Sequence, residues 1–247
     1  MGKAAKSNVG LDLKMFRERL SFNGDLFWEK RDNILWNYGT MPSIIGATLS
    51  AANIGKVNNR GLEFELSWES KIRDFGYRFL GTFSYAKNEI IYMDEPSPKY
   101  DYLAETGYSV NQYKGYLNEG FINTIADLEN QPAHGWGSNW DRGELNFIDI
   151  NGDGIVNSYD RITIGYSPYP EINYGFSVDL EWKNFELNTL FQGVANVTLY
   201  LKQSAIIPLY YERSAQTWHL ERWTEERYLA GKPISYPRML SDNVNSP

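Results

Sequence analysis

A strict alternation of apolar and polar residues constrains this chain more than any other feature. In "GLEFELSWE", residues 61–69, every second side chain is apolar and the side chains between are Glu or Ser. Successive side chains of a β-strand point to opposite faces, so this period of two predicts a strand with one apolar face. The stretches "RLSFNGDLFWEK", "YRFLGTFSYAK" and "GFSVDLEW" repeat the pattern. The chain is therefore predicted to be all-β.

The alternation predicts six long strands. They cover residues 7–16, 19–31, 57–70, 75–90, 172–183 and 185–200. Strands in most globular proteins have about five or six residues, whereas a tilted strand that crosses a bilayer needs about 9–11. The predicted strands are long enough to cross a membrane and extend beyond it.

The connections between these strands alternate between short and long. Tight turns are predicted at Arg17-Glu18, at "KIRDF" and at Lys183-Asn184, whereas residues 32–56, 91–171 and the part after residue 200 form long connections. Transmembrane barrels sort their connections in this way, with short turns at one membrane face and long loops at the other. The sequence thus predicts a portion of an antiparallel transmembrane β-barrel, with 91–171 as one long extracellular loop. A soluble β-sandwich is the alternative.

The two faces of the strands extend this prediction. The aromatic residues near strand ends would form interfacial girdles in a barrel, and part of a dry core in a sandwich. These residues are Trp28, Trp68, Tyr85 and Trp182. The carboxylates of the polar face are spread along strands and do not form a catalytic pair. They are Glu63, Glu65, Glu69, Asp179 and Glu181.

Composition excludes several classes of protein. A net charge of −7 and a pI near 5.0 argue against a nucleic-acid-binding protein. The chain has no cysteine, hence no disulfide, and no run of 18 apolar residues that would predict a transmembrane helix. The start "MGKAAKSNVG" lacks the apolar segment of a signal peptide. Since six strands cannot close a large barrel without open edges, we expect this chain to be a piece of a longer protein.

The run "FIDINGDGIVNSYDRITIG", residues 147–165, has the spacing of a calcium-binding loop. Calcium prefers six to eight oxygen ligands, which one twelve-residue loop supplies from fixed positions. The predicted ligands are Asp149, Asn151, Asp153, the Ile155 carbonyl, Asn157 and Asp160, with Gly154 at the sharp turn. We call residues 149–160 the calcium-type loop.

Two details refine the calcium prediction. Asp160 stands where Glu is usual, so its shorter side chain must draw the loop inward or act through water. The flanks "ELNF" and "RITIG" are extended in pattern and not helical. The loop is therefore predicted to be a structural staple, and the ion to be Ca²⁺ because Mg²⁺ retains its waters. A plain Gly-rich turn is the alternative.

The residues also carry a family resemblance. The segment from Gly143 to Gly193 resembles the late barrel region of SusC/RagA-type TonB-dependent transporters, in which the Asp-x-Asn-Gly-Asp-Gly run precedes Asp-Arg, Ile-Gly, prolines and Tyr-Gly. "NIGKVNNRGLEFEL" is similar to a strand entry of that family, "GYSVNQYKGYLNEGFIN" to its tyrosine-rich loop, and "RWTEE" and "YPRM" to later pieces. The resemblance extends from about Asn8 to Leu240.

The resemblance implies import and not catalysis. Members are outer-membrane barrels that take up glycans or peptides, capped by a SusD-like surface lipoprotein and driven by the TonB complex. It also implies that the plug domain, the segment that contacts TonB, and the closing strands lie outside this chain. The long loops would lie on the capped side.

Three other functions are alternatives for a chain with these features. A secreted, calcium-stapled β-sandwich would bind sugars through loop aromatic residues, for which the candidates are Trp136, Trp140, Tyr166 and Tyr169. A dockerin-like module would need two calcium loops with helices, and only one loop occurs. A hydrolase is not supported, because His134 and His219 have no nucleophile or metal-ligand spacing around them and are expected to be polar residues of a loop or short helix.

Overall fold

The computed structural model describes residues 1–40, 50–137, 140–202, 206–208 and 214–239. Within these ranges the strands are β1 (Lys3–Met15), β2 (Leu20–Trp36), β3 (Ala52–Ile72), β4 (Phe75–Tyr92), β5 (Lys114–Gly115), β6 (Asn118–Phe121), β7 (Ala133–His134), β8 (Leu145–Phe147), β9 (Ile155–Val156), β10 (Ile162–Thr163), β11 (Ile172–Trp182) and β12 (Phe185–Ala195). Two short helices are α1 (Ile125–Asn130) and α2 (Glu225–Leu229). In the described part of the chain, no helix is long and apolar enough to cross a bilayer.

The six long strands form one antiparallel sheet in the order β1-β2-β3-β4-β11-β12. All six predicted strands are thereby confirmed, although their ends differ. β1, β2, β3 and β4 are longer than predicted, and β12 ends at Ala195 instead of residue 200. The next residue, Asn196, has a left-handed backbone (φ 52) and its side chain donates a hydrogen bond to Glu171. This conformation ends the extended segment.

The predicted tight turns are also present. β1 and β2 are joined by residues 16–19, β3 and β4 by residues 73–74, and β11 and β12 by residues 183–184. Arg17 (φ 61), Arg73 (φ 55) and Lys183 (φ 56) have left-handed backbone conformations. Such conformations match the right-handed twist of paired strands in short hairpins.

The register places apolar residues of all neighbouring strands on one face. Leu26 lies opposite Leu62, Leu62 opposite Tyr85, Tyr85 opposite Ile172, and Ile172 opposite Ala195. Because side chains alternate along each strand, this single row determines on which face each remaining residue of these strands lies. The predicted girdle residues belong to the apolar face, and the predicted carboxylates to the opposite, polar face. The latter are Glu63, Glu65, Glu69, Asp179 and Glu181.

The apolar face is exposed and does not form a dry interior. Phe176 in the middle of β11 is 46 % exposed, and Phe191 beside it on β12 is 66 % exposed. In the long sheet, the described apolar residues that are buried are Val57 and Ile90, near one end of β3 and β4. The β-sandwich alternative is therefore wrong for this sheet, since a sandwich buries its apolar faces against each other.

The height of the apolar face fits a bilayer. On β11 it extends from Ile172 to Trp182, which is ten residue steps, or about 33 Å along the strand. A strand tilt of 35–45° reduces this to about 25 Å, which is the height of the apolar band of membrane barrels. Trp182 lies at the end of β11 next to the tight turn, as a girdle residue would.

The last residues of β4 extend beyond the start of β11, and residues 107–110 cover this free edge. β11 begins opposite Tyr85, so the last residues of β4 have no partner strand on that side. There the Gly107 amide donates to the Ile90 carbonyl (2.8 Å), and the Ile90 amide donates to the Tyr108 carbonyl (2.9 Å). The Val110 amide donates to the Asn88 side chain (2.7 Å). Covered edges do not pair with other chains.

Contacts divide the chain into two compact units. The first unit, residues 1–113 and 165–198, contains the six-stranded sheet. The second unit, residues 114–164 and 199–247, contains the short pairs β5–β10, β6–β8 and β7–β9 in its described part. The predicted loop 91–171 is thus distributed over both units, and its extracellular position stays a prediction.

We predict that charge is tolerated unequally on the two faces of β11. Phe176→Arg should lower the free energy of unfolding in lipid vesicles by roughly 2–4 kcal/mol, because a charge near the bilayer midplane is costly. The matched control is Ser177→Arg on the polar face, which should cost much less. Urea unfolding of the vesicle-inserted protein, followed by tryptophan fluorescence, measures both. Equal losses would contradict lipid contact of the apolar face.

Candidate functional site

The calcium-type loop lies in the second unit and is built as a series of tight turns. Gly152 (φ 73) and Gly154 (φ 84) have left-handed backbones, which glycine adopts without strain. The loop continues through β9 and ends in a short 3₁₀ turn, Ser158–Asp160. Sequence reasoning placed Gly154 at the sharp turn, and the structure agrees.

The side chains of the first half of the loop accept hydrogen bonds from its backbone. Asp149 accepts from the amides of Gly152 (2.8 Å) and Gly154 (2.7 Å), through one oxygen each. Asn151 Oδ1 accepts from the Asp153 amide (2.8 Å), and Asp153 accepts from the Ile155 amide (3.0 Å). Burial acts to raise the pKa of Asp149, but hydrogen bonds with the amides of Gly154, Gly152 and Asp153 and with the Asp160 side chain together hold that pKa below its usual value.

Asp160 joins the two ends of the loop from a fully buried position. Its side chain is 0 % exposed. Oδ1 accepts hydrogen bonds from the amides of Ile150 (2.9 Å) and Asn151 (3.3 Å), and Oδ2 accepts from the Asn157 amide (2.7 Å). Because one carboxyl group accepts several amides at once, Asp160 ties residues 150 and 151 to residue 157.

The predicted ligands all lie in one loop. In the described ranges, no group of three or more His, Cys, Asp or Glu side chains is placed to hold a metal ion. Each ionised carboxylate has about four lone-pair sites, so Asp149 and Asp160 retain accepting capacity beyond their two or three amide bonds. The donor set fits Ca²⁺ chemically, because every predicted ligand offers an oxygen atom.

Five aromatic rings pack together beside the loop, and we call them the ring cluster: Tyr116, His134, Trp136, Trp140 and Phe147. His134 stacks on Trp140 with ring centroids 3.9 Å apart and an interplanar angle of 22°. Trp136 lies 4.9 Å from Tyr116 and 5.9 Å from Phe147, centroid to centroid. Sequence reasoning missed this cluster, although the aromatic density of "PAHGWGSNW" signals it.

His134 differs from its predicted role as a polar loop residue. Both of its ring nitrogens are buried, and the described protein offers neither of them a hydrogen-bond partner. Burial lowers the pKa of His134, which favours the neutral ring. His134 therefore acts as an apolar aromatic residue, and the prediction was wrong in this respect.

His219 has the predicted polar role in a short helix. It lies in the 3₁₀ turn Thr217–Glu221 and is 2 % exposed. Its Nδ1 accepts a hydrogen bond from the Gln216 amide (2.8 Å), and its Nε2 lies 2.7 Å from the Ile206 carbonyl. Both ring nitrogens are occupied by the backbone, so this histidine fixes local structure.

Residues from "RWTEE" and "YPRM" pack against residues 122–144 in the same unit. Arg238 contacts Glu144 (2.5 Å) and Asp141 (2.7 Å). Burial raises the pKa of Glu144 above its usual value despite the guanidinium of Arg238. Gly143 (φ 90) allows Trp223 to pack closely, because a Cβ there would lie 2.4 Å from the indole ring. The indole donates to Asn123 (3.0 Å).

The four aromatic residues proposed for sugar stacking are in different environments. Trp136 and Trp140 belong to the ring cluster and pack mainly on other rings. Tyr166 and Tyr169 lie in the first unit and are 44 % and 57 % exposed. Of the four, the two tyrosines have the larger exposed fractions.

We predict that Asp160 is required for the loop even without a metal. In a chelator, Asp160→Ala should destabilise the loop by at least about 2 kcal/mol, because three backbone amides lose a charged acceptor. Faster hydrogen exchange at Ile150 and Asn157 would report this loss. Asp153→Ala is the matched control, since that exposed side chain accepts from one described amide. Unchanged exchange in Asp160→Ala would contradict the assignment.

Comparison with known proteins identifies the barrel region. The family model "TonB dependent receptor-like, beta-barrel" matches residues 6–197. The chain is 28 % identical over 204 residues to TonB-dependent receptor P3 of Formosa agariphila, covering 75 % of this chain and 19 % of the relative. It is 24 % identical over 213 residues to TonB-dependent receptor SusC of Bacteroides thetaiotaomicron, covering 80 % and 20 %.

A solved structure has the same fold over nearly the whole chain. The RagAB peptide importer in the 'open-open' state superposes with a TM-score of 0.67 at 20 % identity, covering 99 % of this chain and 25 % of that chain. The chain thus spans about a fifth to a quarter of the proteins it matches. The resemblance drawn from the sequence is confirmed: the chain belongs to the TonB-dependent receptor β-barrel family, whose members are outer-membrane transport proteins and not enzymes.

Proposed function

We propose that this chain is part of an active importer that carries glycans or oligopeptides across the outer membrane. The continuous apolar face of the six-stranded sheet supports this proposal most directly, because it makes that sheet a lipid-facing wall. The polar face of the same sheet, with its carboxylates, would then border the water-filled interior. The family match supports transport, and the RagAB relative is a peptide importer.

The proposed partners follow from the SusC/RagA-type relationship. A SusD-like surface lipoprotein would cap the side of the barrel that carries the long connections. The TonB complex would drive uptake through a part of the transporter outside these 247 residues. The exposed rings of Tyr166 and Tyr169 would suit a sugar ring or an apolar peptide side chain.

Deletion of the gene in its native host should abolish growth on one nutrient class. The two arms are a polysaccharide and a mixture of oligopeptides, each as sole carbon source, with a monosaccharide as control. A protonophore should stop uptake of the labelled nutrient, because TonB-driven transport needs the proton gradient of the inner membrane. A tagged transporter should co-purify a SusD-like lipoprotein. Unchanged growth on both nutrient classes would reject the importer, and purification without such a lipoprotein would reject the partner.

We also propose that the calcium-type loop binds one Ca²⁺ as a structural staple. The support is the order of oxygen-bearing residues in the loop and the spare accepting capacity of its carboxylates. Asp149, Asn151, Asp153, the Ile155 carbonyl, Asn157 and Asp160 would hold the ion. When bound, the ion would offset two of the three negative charges that the loop's carboxylates carry when ionised.

Calorimetric titration tests the calcium proposal. The wild type should bind about one Ca²⁺ with a dissociation constant of roughly 10⁻⁴ to 10⁻³ M, the range of extracellular modules. Asp149→Ala should remove this binding, because position 1 supplies a carboxylate that also shapes the turn. Asp101→Ala, at an exposed acidic residue outside the loop, is the control and should bind normally. A wild type without binding heat would end the proposal.

A further inference from the structure

We infer that the apolar face of the six-stranded sheet ends in a site for a phosphate-bearing lipid head group, formed by Lys30, Arg60 and Lys87. We call these three residues the basic patch. The site depends on the proposed function, because the sheet must stand in an outer membrane with its tight turns facing the periplasm. It goes beyond that function, since an importer as such needs no particular lipid.

The basic patch lies directly beyond the apolar face on three neighbouring strands. On each of β2, β3 and β4, the positions of this face carry no charged residue from the tight turn onwards until Lys30, Arg60 and Lys87. On β3 the uncharged stretch extends from Ile72 to Leu62, which is ten residue steps, or about 33 Å along the strand. A strand tilt of 35–45° reduces this to about 25 Å, the height of the apolar band of membrane barrels. The basic patch therefore lies at the level of lipid head groups.

The register brings the three cations close together. Arg60 lies directly opposite Lys87, and Lys30 lies opposite Asn58, which places Lys30 diagonally from Arg60. Directly opposite residues have Cβ atoms about 4.5–5.5 Å apart, and diagonal neighbours are about 7–8 Å apart. All three side chains are exposed. One phosphate group has several acceptor oxygens and can therefore contact more than one of these cations.

The pairing of Arg60 with Lys87 has a cost that an anion would offset. Like charges directly opposite each other on neighbouring strands destabilise a sheet. Glu89 lies on the same face, opposite Asn58, and balances one of the three positive charges. Within the described ranges, no ion pair includes a residue of the basic patch. The remaining positive charge suits an anionic ligand.

Continuity with the apolar face favours a lipid as that ligand. Its acyl chains would cover exposed rings such as Trp28 (46 % exposed) and Phe64 (39 % exposed), while its phosphate meets the basic patch. Lys and Arg suit this position, because their apolar stems cover the protein surface while their charged ends reach the head groups. The patch lies at the end of the sheet away from the tight turns, which are periplasmic in bacterial barrels. The lipid would therefore belong to the outer leaflet.

Native mass spectrometry of the intact transporter in detergent tests this site, with diphosphorylated lipid A as the added ligand. The variant replaces the three cations of the basic patch: Lys30→Gln, Arg60→Gln and Lys87→Gln. The matched control replaces three exposed cations on the polar face of the same sheet: Lys14→Gln, Lys71→Gln and Arg78→Gln. The first variant should bind lipid A at least about ten-fold more weakly than the wild type, because attraction to anionic lipid falls with each cation removed. The control should bind like the wild type.

Further arms separate a lipid site from other sources of binding. Dephosphorylated lipid A should lose most of the wild-type affinity, and this comparison does not depend on the folding of any variant. Inorganic phosphate in excess should not displace lipid A, because it has no chains to pack on the apolar face. The double variant Lys30→Arg and Lys87→Arg retains the charge and should retain binding.

Three results would each overturn the site: equal binding of the phosphorylated and dephosphorylated lipid, displacement by free phosphate, or equal losses in the Gln variant and its control. The readout is bound lipid and not nutrient uptake. A failed lipid site would thus leave the proposed importer standing. Unchanged growth of the deletion strain, with lipid binding intact, would reject the importer alone.

Discussion

The backbone hydrogen bonds of the six-stranded sheet are the constraint on which the rest of the structure depends. In hydrocarbon no water is present to pair with amide and carbonyl groups, so a spanning segment must satisfy them within the protein. β-Strands do so only through their neighbours, which fixes register as well as pairing. Once Leu26, Leu62, Tyr85 and Ile172 share a row, every residue of those strands has an assigned face. The apolar residues then lie towards lipid without any core of their own.

The same constraint explains why the second unit uses polar interactions so heavily. Short strands of two to four residues cannot hold a fold by pairing alone. The described buried apolar residues of this unit are few: Ile122, Phe147, Val156 and Trp223. Carboxylates that accept hydrogen bonds from backbone amides also stabilise this unit. Examples are Asp160 in the calcium-type loop and Asp127 in the capping box of α1. Acidic side chains suit this task because each carboxylate accepts several amides at once.

The sequence predicted the sheet well because its signal is local. A period of two survives in each strand separately, so the six strands, the tight turns and the apolar face were all readable without knowing any partner. The end of β12 could not be predicted from the local pattern. It depends on the left-handed backbone of Asn196 and on the hydrogen bond from its side chain to Glu171, 25 residues earlier. The ring cluster was not readable either, because Tyr116, His134 and Phe147 meet only after β5, β7 and β8 have been placed. The role of His134 was wrongly predicted for the same reason. The residue type suggests a polar side chain, but its burial depends on rings that are distant in the sequence.

The calcium-type loop shows how one set of carboxylates can serve two purposes. Asp149 and Asp160 accept hydrogen bonds from the loop's own amides, and these bonds hold the turns in shape. An Asp at the last position fits this arrangement, because its short side chain keeps the carboxylate close to the amides of Ile150 and Asn157. The longer side chain of Glu would place the carboxylate beyond these two amides. An ion would therefore adjust a preformed loop and would not have to build one. Less ordering entropy is lost when a preformed site binds, so the hydrogen bonds of Asp149 and Asp160 would lower the free-energy cost of holding an ion.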